Sequence, residues 1–140
     1  MDTTASYDPL LGDCPTRQVL TRIADKWSML VVLALTPGTM RFSQVRRRVE
    51  GVTQKMLTQT LRGLERDGLV VRAAVATVPV TVTYTLTPLG ADLAAAVDHL
   101  RRWATGHIVE VELARERFDE VARIATPPRP VSSPLQVLQQ

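Results

Sequence analysis

Apolar residues recur along most of this chain at three- and four-residue steps, and in one stretch they give way to alternation. The spacing predicts a helix over Thr16 to Ala24, opened by Pro15, with Val19, Leu20 and Ile23 on one face. Asp13 or Cys14 stands where a cap belongs. Asp25 is placed to cap a second helix, Lys26 to Thr36. Its Trp27, Met29, Leu30, Val31, Val32, Leu33 and Leu35 are apolar nearly all round, the pattern of a central buried helix. Pro37 and Gly38 stop it. Thr39 to Phe42 reads as a short extended piece. Ser43 reads as the cap of a helix from Gln44 to Val49, with Val45 and Val49 inward.

The stretch Thr53 to Asp67 carries the pattern on which the rest depends. Met56, Leu57, Leu61 and Leu64 share one helical face, while Gln54, Lys55, Thr58, Gln59 and Arg62 face away. Thr53 is the expected N-cap, and Gly68 suits the left-handed position that ends a helix. Two short helices joined by a glycine-containing turn, the second polar outside, form a helix-turn-helix pattern. Leu69 to Ala76 and Val80 to Leu86 are then rich in Val, Thr and Tyr, as strands are. With Thr77, Val78 and Pro79 between them they form a hairpin, a candidate wing. Thr87-Pro88 opens a last helix, with Leu89, Leu93, Val97, Leu100, Ala104, Ile108, Val111 and Phe118 in step to about Ile124. Gly106 marks a place for a kink or split.

The expected fold class is mainly α with a small β-hairpin, a winged helix-turn-helix with flanking N- and C-terminal dimerisation helices. Residues 1–13 are expected to be a flexible N-terminus. Residues 14–125 form the domain, with dimerisation helices at 14–24 and 88–124. Residues 126–140, with four prolines from Pro127 onward, read as a disordered tail.

Composition narrows the class. A length of 140 residues suits one domain with a real core. No apolar run approaches the roughly 18 residues of a membrane span. The acidic N-terminus lacks the features of a secretory signal, and the single cysteine excludes an intramolecular disulfide framework, so a cytoplasmic location is expected. The net charge of +3 decides little by itself. Between Arg41 and Arg72, however, eight basic residues stand against three acids, a balance of +5 that leaves −2 for the rest. A basic segment inside a slightly acidic protein is an electrostatic footprint for nucleic acid.

Candidate residues follow from these placements. Lys55 and Arg62 can reach phosphates or guanine edges, and Gln54 and Gln59 can pair with adenine. Thr53 and Thr58 sit beside the helix N-terminus, whose N–H groups favour a phosphate. Arg41, Ser43, Arg46, Arg47 and Arg48 lie on or before the first helix of the motif, which crosses the DNA backbone in such folds. Thr77 is the wing candidate, for a weak contact, since no arginine occupies the tip. The stripe of Leu93, Val97, Leu100, Ala104, Ile108 and Val111, with Val19, Leu20 and Ile23, exceeds what a small winged core can cover, so a homodimer is expected. Its two-fold axis calls for a pseudo-palindromic double-stranded DNA operator. Trp27, Trp103 and Phe118 are read first as core packing and second as walls of an effector pocket. His99 and His107 lack partners at ligand spacing, so no metal is expected. No catalytic triad, phosphate loop or paired carboxylate is visible, so neither enzyme nor cofactor is expected.

Several short strings now align in one order. They are Cys14-Pro15, Lys26-Trp27, Arg41-Phe42-Ser43-Gln44-Val45 and Lys55-Met56-Leu57-Thr58-Gln59. Leu61-Arg62-Gly63-Leu64-Glu65-Arg66-Asp67-Gly68-Leu69-Val70, then Val82-Thr83-Tyr84-Thr85-Leu86-Thr87 and Gly90, complete the set. In order and spacing, from Cys14 to about Phe118, the chain resembles the HxlR-type winged-helix transcriptional regulators. The resemblance implies a DNA-binding homodimer, often a repressor, frequently answering to electrophiles, oxidants or small metabolites. Gln54 stands where that family often has proline, and Gly63 where a helix former is usual. The segment after Thr126 lies outside the resemblance. Cys14 has two readings. A lone cysteine is usually buried and inert. A thiol at a helix N-terminus can be reactive, and the resemblance implies an oxidant or electrophile sensor there. The rivals from other classes are a winged-helix protein–protein adaptor without DNA function and a thiol enzyme using Cys14.

Overall fold

The computed structural model describes residues 7–126. The chain divides into two units, Met1–Arg101 and Arg102–Gln140. The elements are α1 (Pro15–Ala24), α2 (Lys26–Leu35), β1 (Met40–Arg41), α3 (Phe42–Arg48), α4 (Gln54–Arg66), β2 (Val70–Val75), β3 (Thr81–Leu86) and α5 (Pro88–Ala125). The expected tail beyond Thr126 falls outside the described residues, as do residues 1–6. Among the described residues no helix is long and apolar enough to cross a membrane.

The first unit is built around α2 and α4. Val31, Val32 and Leu35 of α2 meet Leu57, Leu61 and Leu64 of α4, with Val45 of α3 and Ala94 and Val97 of α5 closing the cluster. Burying each of these larger side chains stabilises the fold by about 1.5–3 kcal/mol relative to leaving it exposed. The α2 helix is less enclosed than its sequence suggests, because Leu30 reaches the surface. Asp25 caps it as expected, accepting from the Ser28 backbone N–H at 3.2 Å.

The sheet has three antiparallel strands in the order β1-β3-β2. Met40 pairs with Tyr84 and Arg41 with Thr83, so the short extended piece before α3 is a strand of the wing sheet. Two residues have no periodicity to betray them; only the return of β3 gives β1 a partner. Ser43 does not cap α3, which begins one residue before it at Phe42. Instead the Gln44 Oε1 accepts from the Arg41 N–H at 2.8 Å, and Arg41 has no acceptor with which to return that bond.

The end of α4 locks the wing and α5 together. Gly68 at φ +74 turns the chain. Gly68 N–H then bonds the Glu65 carbonyl and Leu69 N–H the Leu64 carbonyl, the paired closure of a glycine-terminated helix. Thr87 Oγ1 donates to the Gly68 carbonyl at 2.6 Å and accepts from Gly90 N–H at 3.0 Å. A Cβ at Gly90 would lie 1.9 Å from the Leu69 carbonyl oxygen, so no side chain fits there.

In the second unit, α5 runs unbroken through Gly106, so the expected split does not occur. Trp103, Ile108, Val109, Leu113, Phe118, Val121 and Ile124 are all exposed along it.

Candidate nucleic-acid interface

The orientation of α4 follows from its two faces. Thr53 is extended at φ −78, ψ 158, and its hydroxyl accepts from Met56 N–H at 3.1 Å. Leu57, Thr60, Leu61, Gly63 and Leu64 are buried, which fixes the rotation of the helix. Lys55, Gln59, Arg62 and Arg66 then follow at i, i+4, i+7 and i+11 on the opposite face, all exposed. Gln54 and Thr58 lie on one flank. The Thr58 hydroxyl donates to the Gln54 carbonyl at 2.8 Å, so its proton is committed within the helix. Met56 is more exposed than its assignment to the core face implies, at 36%. It lies one residue outside the leucine stripe, toward Gln59 and the α1 side chains Gln18 and Thr21, with which it borders a pocket.

Gly63 has a local reason. A Cβ there would lie 2.6 Å from the Arg22 guanidinium, which bonds Asp67 Oδ2 at 3.1 Å. The notch lets an α1 arginine lie against the back of α4. The helix-propensity penalty of about 1 kcal/mol is thus accompanied by a bridge between the two helices.

On α3, Val45 points wholly inward, so Ser43 and Arg47 point away from the core and Arg46 lies on a flank. Arg48 turns toward α2 and borders a pocket with Leu30, Leu33 and Arg101. That separates it from the other two arginines of the run. Thr77 at the wing is occupied locally: its hydroxyl donates to the Pro79 carbonyl at 2.8 Å and meets Thr81 Oγ1 at 3.0 Å.

Several arginines outside the basic segment are engaged within the protein. Arg17 bonds the carbonyls of Pro9 and Leu10, Arg22 pairs with Asp67, Arg101 with Asp98 and Arg123 with Glu120. None of the eight basic side chains from Arg41 to Arg72 makes an ion pair or hydrogen bond among the described residues. One of the three acids in that segment, Asp67, is meanwhile engaged by Arg22 from outside it. Among the described residues the positive charge of the segment is therefore left without partners, apart from the acids Glu50 and Glu65 within it. Arg66 and Arg72 belong to this uncommitted set and are absent from the candidate residues read from the sequence. Arg66 could have been found by extending the Lys55, Gln59, Arg62 spacing by one more turn. Arg72 could not, because its place depends on the sheet.

The remaining candidates lie apart from this face. Cys14 occupies the N-cap position of α1, 5% exposed, and its side chain makes no capping bond. Trp27 is half-buried against the core, with Lys26 Nζ 4.3 Å from its ring centre. Trp103 and Phe118 are not core residues, contrary to the packing expectation. They are 54% and 75% exposed on α5, and Trp103 stacks on His107 at 4.8 Å. Of the dimerisation candidates, Val97 lies inside the chain's own core, with Leu93 and Ile23 packed against it, so Val97 cannot be offered to a partner. Val19, Leu20, Leu100, Ala104 and Ile108 are exposed and Val111 is half-buried. Among the described residues no group of three or more His, Cys, Asp or Glu is placed to hold a metal.

The HxlR-like helix-turn-helix family matches residues 22–112. YtfH of Escherichia coli (strain K12), an uncharacterised HTH-type transcriptional regulator, is 43% identical over 103 residues, spanning 74% of this chain and 82% of that one. The solved structure of ytfH from Salmonella typhimurium, described as a transcriptional regulator, is similar with a TM-score of 0.74 at 39% identity. It covers 79% of this chain and 98% of its own. The redox regulator HypR in its oxidized form is similar with a TM-score of 0.62 at 36% identity, over 66% of this chain and 96% of its own. These relatives are transcriptional regulators, a class without an enzymatic reaction. With a winged helix-turn-helix fold and a family match across most of its length, the chain belongs to the HxlR-like helix-turn-helix family.

Proposed function

We propose that this transcriptional regulator binds a pseudo-palindromic operator as a homodimer and represses by obstructing polymerase. The observation that carries the proposal is the outer face of α4, where Lys55, Gln59, Arg62 and Arg66 are exposed and uncommitted on a helix whose rotation the core fixes. Such a helix reads base edges in the major groove, while Arg46 and Arg47 on α3 meet phosphates. An adaptor surface would have no need of eight unpaired cations, and this favours DNA over a protein partner. The dimer is supported by the exposed Val19, Leu20, Leu100 and Ile108. A genomic DNA pulldown tests the reading. Discrete sites with two-fold symmetry, half-sites about 34–36 Å apart or a multiple of it, are expected. Recovery of fragments without any shared sequence would overturn it.

A second reading concerns regulation. HypR is a redox regulator, and Cys14 is the one thiol here that can play such a part. With a single cysteine per chain, reversible oxidation ends in an intersubunit disulfide or a mixed disulfide with a small thiol. Burial of Cys14 makes its reaction depend on local opening at the start of α1. Diamide should weaken operator binding by the wild type and leave Cys14→Ser unaffected. A wild type indifferent to diamide removes the sensor and leaves the regulator intact.

A further inference from the structure

We infer that Arg72 of β2 and Arg62 of α4 form a two-sided seat for one phosphodiester of the DNA backbone. The inference rests on the reading of α4 as the DNA-binding helix. Thr58, Leu61, Arg62 and Glu65 follow at i, i+3, i+4 and i+7, one stripe along α4. That stripe forms one wall of a pocket of about 340 Å³ whose other wall is Arg72 and Tyr84. Arg72 and Tyr84 are direct cross-strand partners, so their side chains stand on the same face of the sheet, turned toward α4.

The chemistry of the pocket selects an anion. Neither guanidinium has an ion pair or hydrogen bond among the described residues, and neither does the Tyr84 hydroxyl. Glu65 also borders the pocket, yet it lies beyond 4 Å from both guanidinium groups, so the net charge of the lining is +1. Two guanidinium groups and a phenol supply only donors to a tetrahedral oxyanion, and arginine suits phosphate by its forked geometry. The pocket adjoins Arg62 on the DNA-facing side of α4. A backbone phosphate entering it would be held from the helix and from the wing sheet at once. Arg62 would then position the helix as well as, or instead of, reading a base, and Arg72 would set the angle of α4 to the duplex.

The test uses the full-length protein, a duplex carrying a site recovered from the pulldown, and a 20-bp duplex of unrelated sequence. A released counterion contributes a salt slope of about 0.9, so losing one phosphate contact lowers affinity about fivefold at 0.15 M salt. Arg72→Ala should lose that factor on both duplexes, reduce the salt slope by about one, and leave the thermal midpoint of the free protein unchanged. Tyr84→Phe should lose less and keep the slope, because the phenol carries no charge. Replacing the flanking phosphate by a neutral methylphosphonate should weaken the wild type and not Arg72→Ala. Unchanged affinity and slope in Arg72→Ala would overturn the seat while Lys55→Ala still shows whether α4 binds DNA. A loss confined to the specific duplex would also overturn it, by making Arg72 a base reader. Competition by millimolar inorganic phosphate on Arg72→Ala as strongly as on the wild type would place the anion elsewhere.

Discussion

Two helical stretches of this chain carry the same kind of apolar repeat and end in opposite environments. On α4, Leu57, Leu61 and Leu64 are fully enclosed by α2, α3 and the sheet. On the Arg102–Ala125 part of α5, Ala104, Ile108 and Val111 follow the same rhythm, yet Ala104 and Ile108 remain exposed and Val111 is only half-buried. Periodicity reports that a helix has an apolar face; it does not report who covers that face. For α4 the cover lies within 35 residues on either side in the chain. For the second unit nothing within the described residues supplies it, and a second copy is the proposed answer. Soluble monomers seldom expose a large contiguous apolar patch.

Mutations in the two stretches should therefore report different quantities. The largest effect is expected inside the first unit. Leu57→Ala should lower unfolding stability by about 2–5 kcal/mol, since the wall around a fully buried leucine relaxes only in part. Urea denaturation measures it, and a loss under about 1 kcal/mol would mean that the core is looser than its burial implies. In the second stretch, Ile108→Glu should leave the first unit folded and abolish self-association, because an unpaired carboxylate in an apolar seam costs several kcal/mol. Leu100→Glu should act the same way from the end of the first unit. Sedimentation would show a monomer and filter binding no operator complex. A wild type already monomeric at micromolar concentration, or both variants still dimeric, contradicts the proposed interface.

The outer face of α4 gives the next effect down. Lys55→Ala or Arg62→Ala should weaken operator binding by about 1–3 kcal/mol with unfolding unchanged, since both side chains point away from the leucines. Full affinity in both variants would move the DNA surface off α4. The smallest effect belongs to the bridge from α1. Asp67→Asn should alter stability by less than about 1 kcal/mol, because both partners of the Arg22–Asp67 pair are about a third exposed and screened by water. A larger shift in the urea midpoint would show that α1 depends on this pair for its seat against Gly63.

Sequence by itself determined most of the first unit. Caps at Asp25 and Thr53, the stop at Gly68 and the Thr87-Pro88 start are local bonds, and local chemistry is written in adjacent residues. The inward face of α4, and with it the outward face, follows from leucine spacing alone. The tertiary structure decided what depends on distant partners. It made β1 a strand by bringing Tyr84 beside Met40. It enclosed Val97 in its own chain and turned Arg48 away from Arg47. It explained Gly63 by Arg22 and Gly90 by Leu69, neighbours 41 and 21 positions away. And it set Arg72 across from Arg62, a relation with no trace in spacing, because strand register and helix docking are settled only when the core closes.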